Sequence, residues 1–417
     1  MREPPRFPLI MTSVAIIVCP QPQAAEIRLE VMRRGGNAVD AAVTCAFVQV
    51  ALDPQMCGIG GCGVILVHNT KSGDALREFH AMAGSRARED QWENIFIREA
   101  ADRYGYVVEG WVNDVGYQSI GVPGTVAGLY EALNRFCTIS WEQAIEAAIP
   151  LAREGFPVRG FMHDYWTTGY GADVVPNQQR IQATPAARAI YTHDGKLFAI
   201  GERMVQEDHA RTLARLPREG PAVFYKGEIA DAMAADFEAN GGFVTKEDLA
   251  NYTANVAEPL TGTYRGLRVA ATGPPAGGLG LLQMLNFLEG YDVGAHGWPS
   301  SRLREFPWRR WRGRLPTASC TSPTRGSSRF PRERSPTSST RPRLARSWLP
   351  GARAHDRADT TQVCTGDDAG NAVSLTHTLG SASDVVTPGP GFGNNDYMNC
   401  FDPVPAGPTR SARARRA

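Results

Sequence analysis

Two adjacent threonines open the stretch Asp359-Thr360-Thr361-Gln362-Val363-Cys364-Thr365. A turn and a second hydroxyl-rich segment, Gly370-Asn371-Ala372-Val373-Ser374-Leu375-Thr376-His377-Thr378, follow. A threonine hydroxyl is a poor nucleophile unless a base sits beside it, and one such base is the residue's own α-amino group. That amine exists only if the chain is cut immediately before the threonine. Once free, it titrates near about pH 8, so a useful fraction is unprotonated at neutral pH. The chemistry this spacing suggests is a self-cleaving precursor whose new N-terminus is Thr360. The plainer reading is a threonine pair starting a β-hairpin, with no chemistry. The pair alone does not choose between them.

The elements that would position such a residue are readable upstream. Val14, Ile16, Ile17 and Val18 predict a β-branched strand over 12–19. Gln23 to Arg33 has helical periodicity through Ala25, Ile27, Leu29 and Met32, and Arg33-Arg34-Gly35-Gly36 supplies the stop signals. A second helix, from Ala38 to Leu52, is apolar on nearly all sides and is expected to be buried. Gly58-Ile59-Gly60-Gly61-Cys62-Gly63 then leads into Val64-Ile65-Leu66-Val67. Phosphate-binding glycine loops follow a strand and open a helix, whereas this one follows a helix and opens a strand. Close backbone packing is the reading it supports. A hairpin turn at Asn69 to Asp74 feeds Leu76 to Phe79. Helices are expected after Val122-Pro123-Gly124, from Trp141 to Arg153, from Gly227 to Glu238, and from a capped start at Thr245-Lys246-Glu247-Asp248. Strands at Leu260 to Tyr264 and Leu267 to Ala271 precede an apolar helix from Leu279 to Leu288.

The 417 residues suffice for a sizeable core, and 42% hydrophobic content is ordinary for a globular chain. A net charge of +1 implies neither a nucleic-acid nor a membrane partner. The eight cysteines show no paired metal spacing: Cys57 and Cys62 have no second Cys/His pair to complete a zinc set. Their apolar and glycine neighbours favour reduced thiols and a cytoplasmic setting. The apolar run Leu9 to Cys19 is too short to span a bilayer and lacks a signal-peptide cleavage pattern.

Taken in order, the blocks have a familiar arrangement. Arg34-Gly35-Gly36-Asn37-Ala38-Val39-Asp40-Ala41-Ala42, Gly58-Ile59-Gly60-Gly61 and Val122-Pro123-Gly124-Thr125-Val126-Ala127-Gly128 come first. Phe224-Tyr225-Lys226-Gly227, Gly241-Gly242, Pro274-Pro275 and Thr360-Thr361 with Asp368-Ala369-Gly370-Asn371 follow. Together they resemble the γ-glutamyltranspeptidase family over most of 20–295 and again over 359–403. The resemblance implies an α+β fold, the four-layer α/β/β/α sandwich of the N-terminal-nucleophile hydrolases. It also implies a precursor that cleaves itself into a large and a small subunit, which stay together as a heterodimer. By matching position, Thr360 is the nucleophile and Thr378 the threonine whose hydroxyl is hydrogen-bonded to it. Gly380 stands where many members carry an asparagine that holds the substrate's α-amino group. The implied substrate is a small γ-glutamyl amide, with water or an amine as acceptor. Neither a metal nor an organic cofactor is required. Thr361 is the alternative nucleophile.

The chain also departs from the family. His80, in Glu78-Phe79-His80-Ala81, falls where an arginine grips the substrate's α-carboxylate. An imidazole offers neither the bidentate fork nor the permanent charge. In Asn394-Asn395-Asp396-Tyr397-Met398-Asn399-Cys400-Phe401, the block that binds the α-amino group, Asp396 is the one carboxylate left; Asn395 and Asp396 are the binding candidates there. These changes point to an acylase on another side-chain amide as the alternative activity, with a non-catalytic remnant as the alternative to both.

Organisation is read as a large-subunit-like region over 1–296, an anomalous segment over 297–358, a small-subunit-like region over 359–405 and a non-family tail over 406–417. From Trp298 to Arg353 about a quarter of the residues are arginine, lysine is absent, and only Glu305 and Glu333 are acidic. A basic arm, a linker removed on maturation and a reading-frame slip all fit. The composition favours the slip. On the family pattern, the oxyanion donors and further sheet strands are expected beyond the last motif of this sequence.

Overall fold

A computed structural model describes residues 15–100, 105–168, 175–290 and 360–403. The anomalous segment over 297–358 and the tail over 406–417 lie outside the described residues. Chain contacts divide the rest into two units, one running to Pro259 and resuming with the threonine pair, the other starting at Leu260.

The first unit is built on a six-stranded antiparallel sheet. Its strands are β1 (Ala15–Val18), β2 (Cys62–Asn69), β3 (Gly73–Phe79), β4 (Asn255–Ala257), β5 (Thr361–Asp367) and β6 (Ala372–Thr378). They lie in the order β1-β5-β6-β2-β3-β4. Two tight hairpins set most of the register. Asn69 Oδ1 accepts from the N–H groups of Lys71 and Ser72 at 2.9 Å each, closing the β2–β3 turn. Asp367 Oδ1 accepts from Asn371 N at 2.9 Å, and Gly370 takes the left-handed φ of +81° that the β5–β6 turn needs. The glycine loop before β2 is a close-packing device, as its order in the sequence suggests: a Cβ on Gly61 would lie 2.3 Å from the Thr378 carbonyl oxygen.

One face of this sheet is covered by helices, among them α1 (Pro22–Arg33), α2 (Ala38–Leu52) and α3 (Thr125–Phe136). Every residue of α2 is buried. Ile65, Val67, Phe79, Val363 and Leu375 point from the strands into the same core. The N-terminus of α2 fixes the distant β5–β6 hairpin: Ala38 N donates to Asp367 Oδ2 (3.0 Å), and Thr365 Oγ1 donates to Ala38 O (2.8 Å). A carboxylate at a helix N-terminus is also favoured by the helix dipole. Ile16 and Val18 on the opposite face are exposed. This is the α+β arrangement expected; the described residues supply one helical layer and one large sheet. The second unit, described from Leu260 to Gly290, is a hairpin of Leu260–Tyr264 and Leu267–Ala271 against the helix Gly278–Glu289.

One expected helix divides. Trp141 to Arg153 forms Trp141–Glu146 and Ala148–Glu154, separated at Ala147. Pro150 has no N–H to give the Glu146 carbonyl, so the ladder cannot run through.

Asp40 holds the start of α2. Its carboxylate accepts from Asn37 N (2.7 Å), Thr138 N (2.8 Å), Thr138 Oγ1 (2.6 Å) and Ile139 N (3.2 Å) at a fully buried position. Asp40→Ala orphans these donors and is expected to lower unfolding stability by at least about 3 kcal/mol, read as a drop in denaturant midpoint at unchanged slope.

Candidate active site

The register of four strands creates the site. Thr361 pairs with His377, so Thr360 lies opposite Thr378; Thr378 pairs with Cys62, and the next residue along from the Gly63–Phe79 pair sets Cys62 opposite His80. Thr360, Thr378, Cys62 and His80 thus form one row at the sheet's end, on the face away from the helices. At about 4.8 Å per strand the row is about 14 Å long. Thr360 Oγ1 lies 3.4 Å from Thr378 Oγ1, and either hydroxyl can donate. Thr378 Oγ1 also accepts from Gly380 N at 2.9 Å, which aims the hydroxyl across the row.

Alternation separates the two threonines. Thr360 is exposed, whereas Thr361 is 1% exposed and turned into the core against Cys57. Behind it runs a buried polar tract. His377 Nε2 hydrogen-bonds to Gln49 Oε1 (2.9 Å), and Gln49 Nε2 donates to Gln21 Oε1 (2.6 Å). The side-chain amides of Gln21 and Gln55 both donate to Asp53. Burial pushes His377 down to about 3, so its imidazole is neutral. Burial pushes Asp53 up to about 7, and the Gln21 hydrogen bond only partly opposes this.

Gly380 sits in a turn with φ of +73°, and a Cβ there would lie 2.0 Å from Asp396 Oδ1. The structure therefore admits no longer side chain at 380 while Asp396 keeps its place. Asp396 is 1% exposed; its Oδ2 accepts from Ser381 N (3.2 Å), Asn399 Nδ2 (3.1 Å) and Arg180 Nη2 (3.3 Å). Asn395, expected to meet substrate, instead clamps two loops: its Nδ2 donates to the carbonyls of Gly60 and Gly121 (2.9 Å each), and its Oδ1 accepts from Gly121 N (3.0 Å).

Arg180 is the residue that sequence reasoning missed. It is buried among three carboxylates: Nη1 to Asp114 Oδ2 (2.7 Å), Nε to Asp384 Oδ2 (3.0 Å) and Nη2 to Asp396 Oδ2 (3.3 Å). Nη2 also donates to the Ala382 carbonyl. Burial opposes the charged guanidinium, but the three carboxylates outweigh it and hold its pKa above the ordinary value. Burial pushes Asp384 up to about 7, with Arg180 opposing. Ala382 (φ +64°) and Asp384 (φ +59°) are left-handed without being glycine. Each such residue costs about 1–3 kcal/mol and persists only where its surroundings hold it. Nothing in Gln178-Gln179-Arg180-Ile181 signals this role, because its partners lie up to 216 residues away.

His80 closes the far end of the row. Its ring stacks on Tyr397 at 6.4 Å, and its Nε2 is buried with no hydrogen-bond partner. Burial lowers its pKa, with Glu78 partly opposing, so the imidazole at neutral pH is uncharged. Burial raises the Cys62 thiol to about 12, so it too is neutral. The row therefore carries two hydroxyls and a neutral imidazole, with the buried Cys62 thiol between them. An exposed threonine hydroxyl in such a row can serve as an oxygen nucleophile once a base stands beside it.

Residues 24–305 match the family model for γ-glutamyltranspeptidase. The chain is 30% identical to an acylase ACY 1 proenzyme from Pseudomonas sp. (strain V22) over 409 residues, covering 94% of this chain and 70% of the acylase. It is 33% identical to the glutathione hydrolase proenzyme of Escherichia coli (strain K12) over 279 residues, 67% of this chain and 45% of that protein. Among solved structures, the γ-glutamyltranspeptidase of Helicobacter pylori superimposes with a TM-score of 0.63 at 28% identity, covering 75% of this chain and 83% of that one.

The buried carboxyls make stability depend on pH. Asp53 and Asp384 both rise from 3.8 to about 7 on folding, so each favours the protonated form. The stability they contribute is complete below about pH 4 and lost as pH rises through about 7, on the order of 4 kcal/mol per group. The thermal midpoint is expected to fall between pH 5 and pH 8. Asp53→Asn should remove about half of that slope; an unchanged slope would count against a buried protonated Asp53.

Proposed function

The chain belongs to the γ-glutamyltranspeptidase family, and on that premise we propose that it is a self-processing hydrolase and acyltransferase of side-chain amides with Thr360 as nucleophile. The observation that carries this reading is the 3.4 Å approach of the Thr360 and Thr378 hydroxyls, with Gly380 N–H on the latter. Hydrolysis of the Asp359–Thr360 bond frees the Thr360 α-amine. In turnover, Thr360 Oγ attacks the amide carbonyl carbon while that amine takes the hydroxyl proton. The C–N bond then breaks as the proton passes to the leaving amine, and an acyl ester on Thr360 remains. Water or an acceptor amine releases the acyl group and restores the hydroxyl. Thr378 positions the nucleophile, and the buried Thr361 takes no part.

The family suggests a γ-glutamyl donor of the glutathione type. A second reading, an acylase for another side-chain amide, is favoured by His80: a neutral imidazole with an unpartnered Nε2 suits a neutral hydrogen-bonding group better than an α-carboxylate.

On a denaturing gel the full chain is expected to give two fragments, the smaller beginning at Thr360 by N-terminal sequencing. Thr360→Ala should remain one band and lose turnover of a γ-glutamyl or related anilide by at least about 10³-fold, while Thr361→Ala still cleaves. A single wild-type band with no anilide hydrolysis would sink the proposal in favour of a non-catalytic remnant.

His80→Arg tests the acyl pocket. It is expected to raise kcat/KM for γ-glutamyl p-nitroanilide about tenfold relative to 4-aminobutyryl p-nitroanilide, which lacks the α-carboxylate, chiefly through KM. An unchanged ratio would remove residue 80 from the pocket.

A further inference from the structure

We propose that Arg180 is a positioning residue of this active site, acting on Thr360 through the Gly380–Asp384 turn and Thr378. The inference rests on the hydrolase reading above and adds a residue to it. The turn follows Thr378 after one residue, Leu379, and its first N–H, that of Gly380, donates to the Thr378 hydroxyl. Two of its residues, Ala382 and Asp384, hold left-handed backbones that a side chain disfavours. Arg180 touches the turn at both: Nη2 donates to the Ala382 carbonyl, and Nε faces Asp384 Oδ2 at 3.0 Å. It reaches the start of the turn as well, since Asp396 Oδ2 joins Arg180 Nη2 to the N–H of Ser381.

Arg180 is itself braced from outside the turn. Nη1 meets Asp114 Oδ2 at 2.7 Å and Nη2 meets the Asp114 carbonyl at 3.0 Å, which fixes the plane of the fork. Other contacts steady the turn, including Thr184 Oγ1 to the Asp384 carbonyl (3.3 Å) and Gly116 N to the Ser383 carbonyl (2.8 Å). None of these engages Ala382, Asp384 and Asp396 at once, as the planar five-donor guanidinium does. Loss of the fork lets Ala382 and Asp384 relax toward right-handed backbone, which carries the Gly380 N–H off Thr378 Oγ1. The nucleophile's hydroxyl then loses its fixed neighbour, while the acyl pocket at His80 is untouched.

The test uses the full, self-cleaved chain with γ-glutamyl p-nitroanilide and glutaryl p-nitroanilide, taking whichever is turned over. Arg180→Lys keeps the charge but not the fork. It is expected to lower kcat about 10–100-fold with KM changed less than about threefold, and to slow self-cleavage in parallel. Adding Ala382→Gly to Arg180→Lys should recover at least about a third of the lost kcat, because glycine takes positive φ without a clamp. A kcat within about twofold of wild type, a loss confined to KM, or no recovery by Ala382→Gly would overturn the proposal. If Arg180→Lys does not fold, Arg180→Gln with Asp114→Asn removes opposite charges together and is held to the same outcomes. A processed wild type that cleaves neither anilide would sink the hydrolase reading and the Arg180 role with it. Turnover by wild type with unimpaired Arg180 variants sinks the Arg180 role alone.

Discussion

The register of β5 is the constraint on which the rest depends. Side chains on a strand alternate between faces, so a slip of one residue would bury Thr360 and send Thr361 to the open face. Attachments on two sides prevent the slip. The Asp367–Asn371 turn ties β5 to β6, the six residue pairs from Thr361↔His377 to Gly366↔Ala372 extend that tie, and Thr365 and Asp367 both bond to Ala38 at the head of α2. The capping carboxylate of Asp40 holds that helix head in turn. A fully buried helix far upstream thereby decides which of two adjacent threonines reaches the open face.

Beneath the row, the protein keeps charge where hydrophobic packing would be cheaper. Burying an ion pair costs desolvation that its Coulomb attraction repays only with good geometry and further hydrogen bonds. Arg180 meets that condition at its two terminal nitrogens, which donate to Asp114, Ala382 and Asp396. Its Nε and Asp384 Oδ2 lie 3.0 Å apart as an ion pair without a hydrogen bond. Three carboxylates still exceed one guanidinium, and the upward shift of Asp384 to about 7 relieves the excess by keeping a proton there below neutral pH. An arrangement of this kind is weak evidence for stability. It makes better sense as a means of holding a left-handed turn beside two hydroxyls.

How much of this could be read from the sequence follows from the range of each interaction. The hairpins, the all-round apolar α2 and the threonine pair are local patterns of period 2 or 3.6, and the structure has them where the residues indicate. The order glycine loop then strand spoke for close packing over a phosphate site, and the near-contact of Gly61 with the Thr378 carbonyl supplies the physical reason for the loop. The break at Ala147 was also encoded, in Pro150, but an otherwise continuous periodicity masked it. Asn395 was a binding candidate only through its place in the family block; its two carbonyl partners, at Gly60 and Gly121, are 335 and 274 residues away. Arg180 has no local signature, since a guanidinium's role here depends on carboxylates from three other segments.

The departures at 80 and at 380 have different physical depth. Residue 80 ends the row, where its half-buried ring stacks on Tyr397 and leaves Nε2 without a partner. Residue 380 is hemmed in by Asp396. The space an asparagine side chain would take is occupied by Asp396 Oδ1, 2.0 Å from the position of a Cβ, and Asp396 is held by Ser381, Asn399 and Arg180. Glycine at 380, the inward Asp396 and the Arg180 cluster are therefore one physical arrangement rather than three substitutions. An asparagine at 380 alone would collide with that carboxylate and with the +73° backbone. A longer side chain at that position therefore requires the ionic cluster to be rebuilt first.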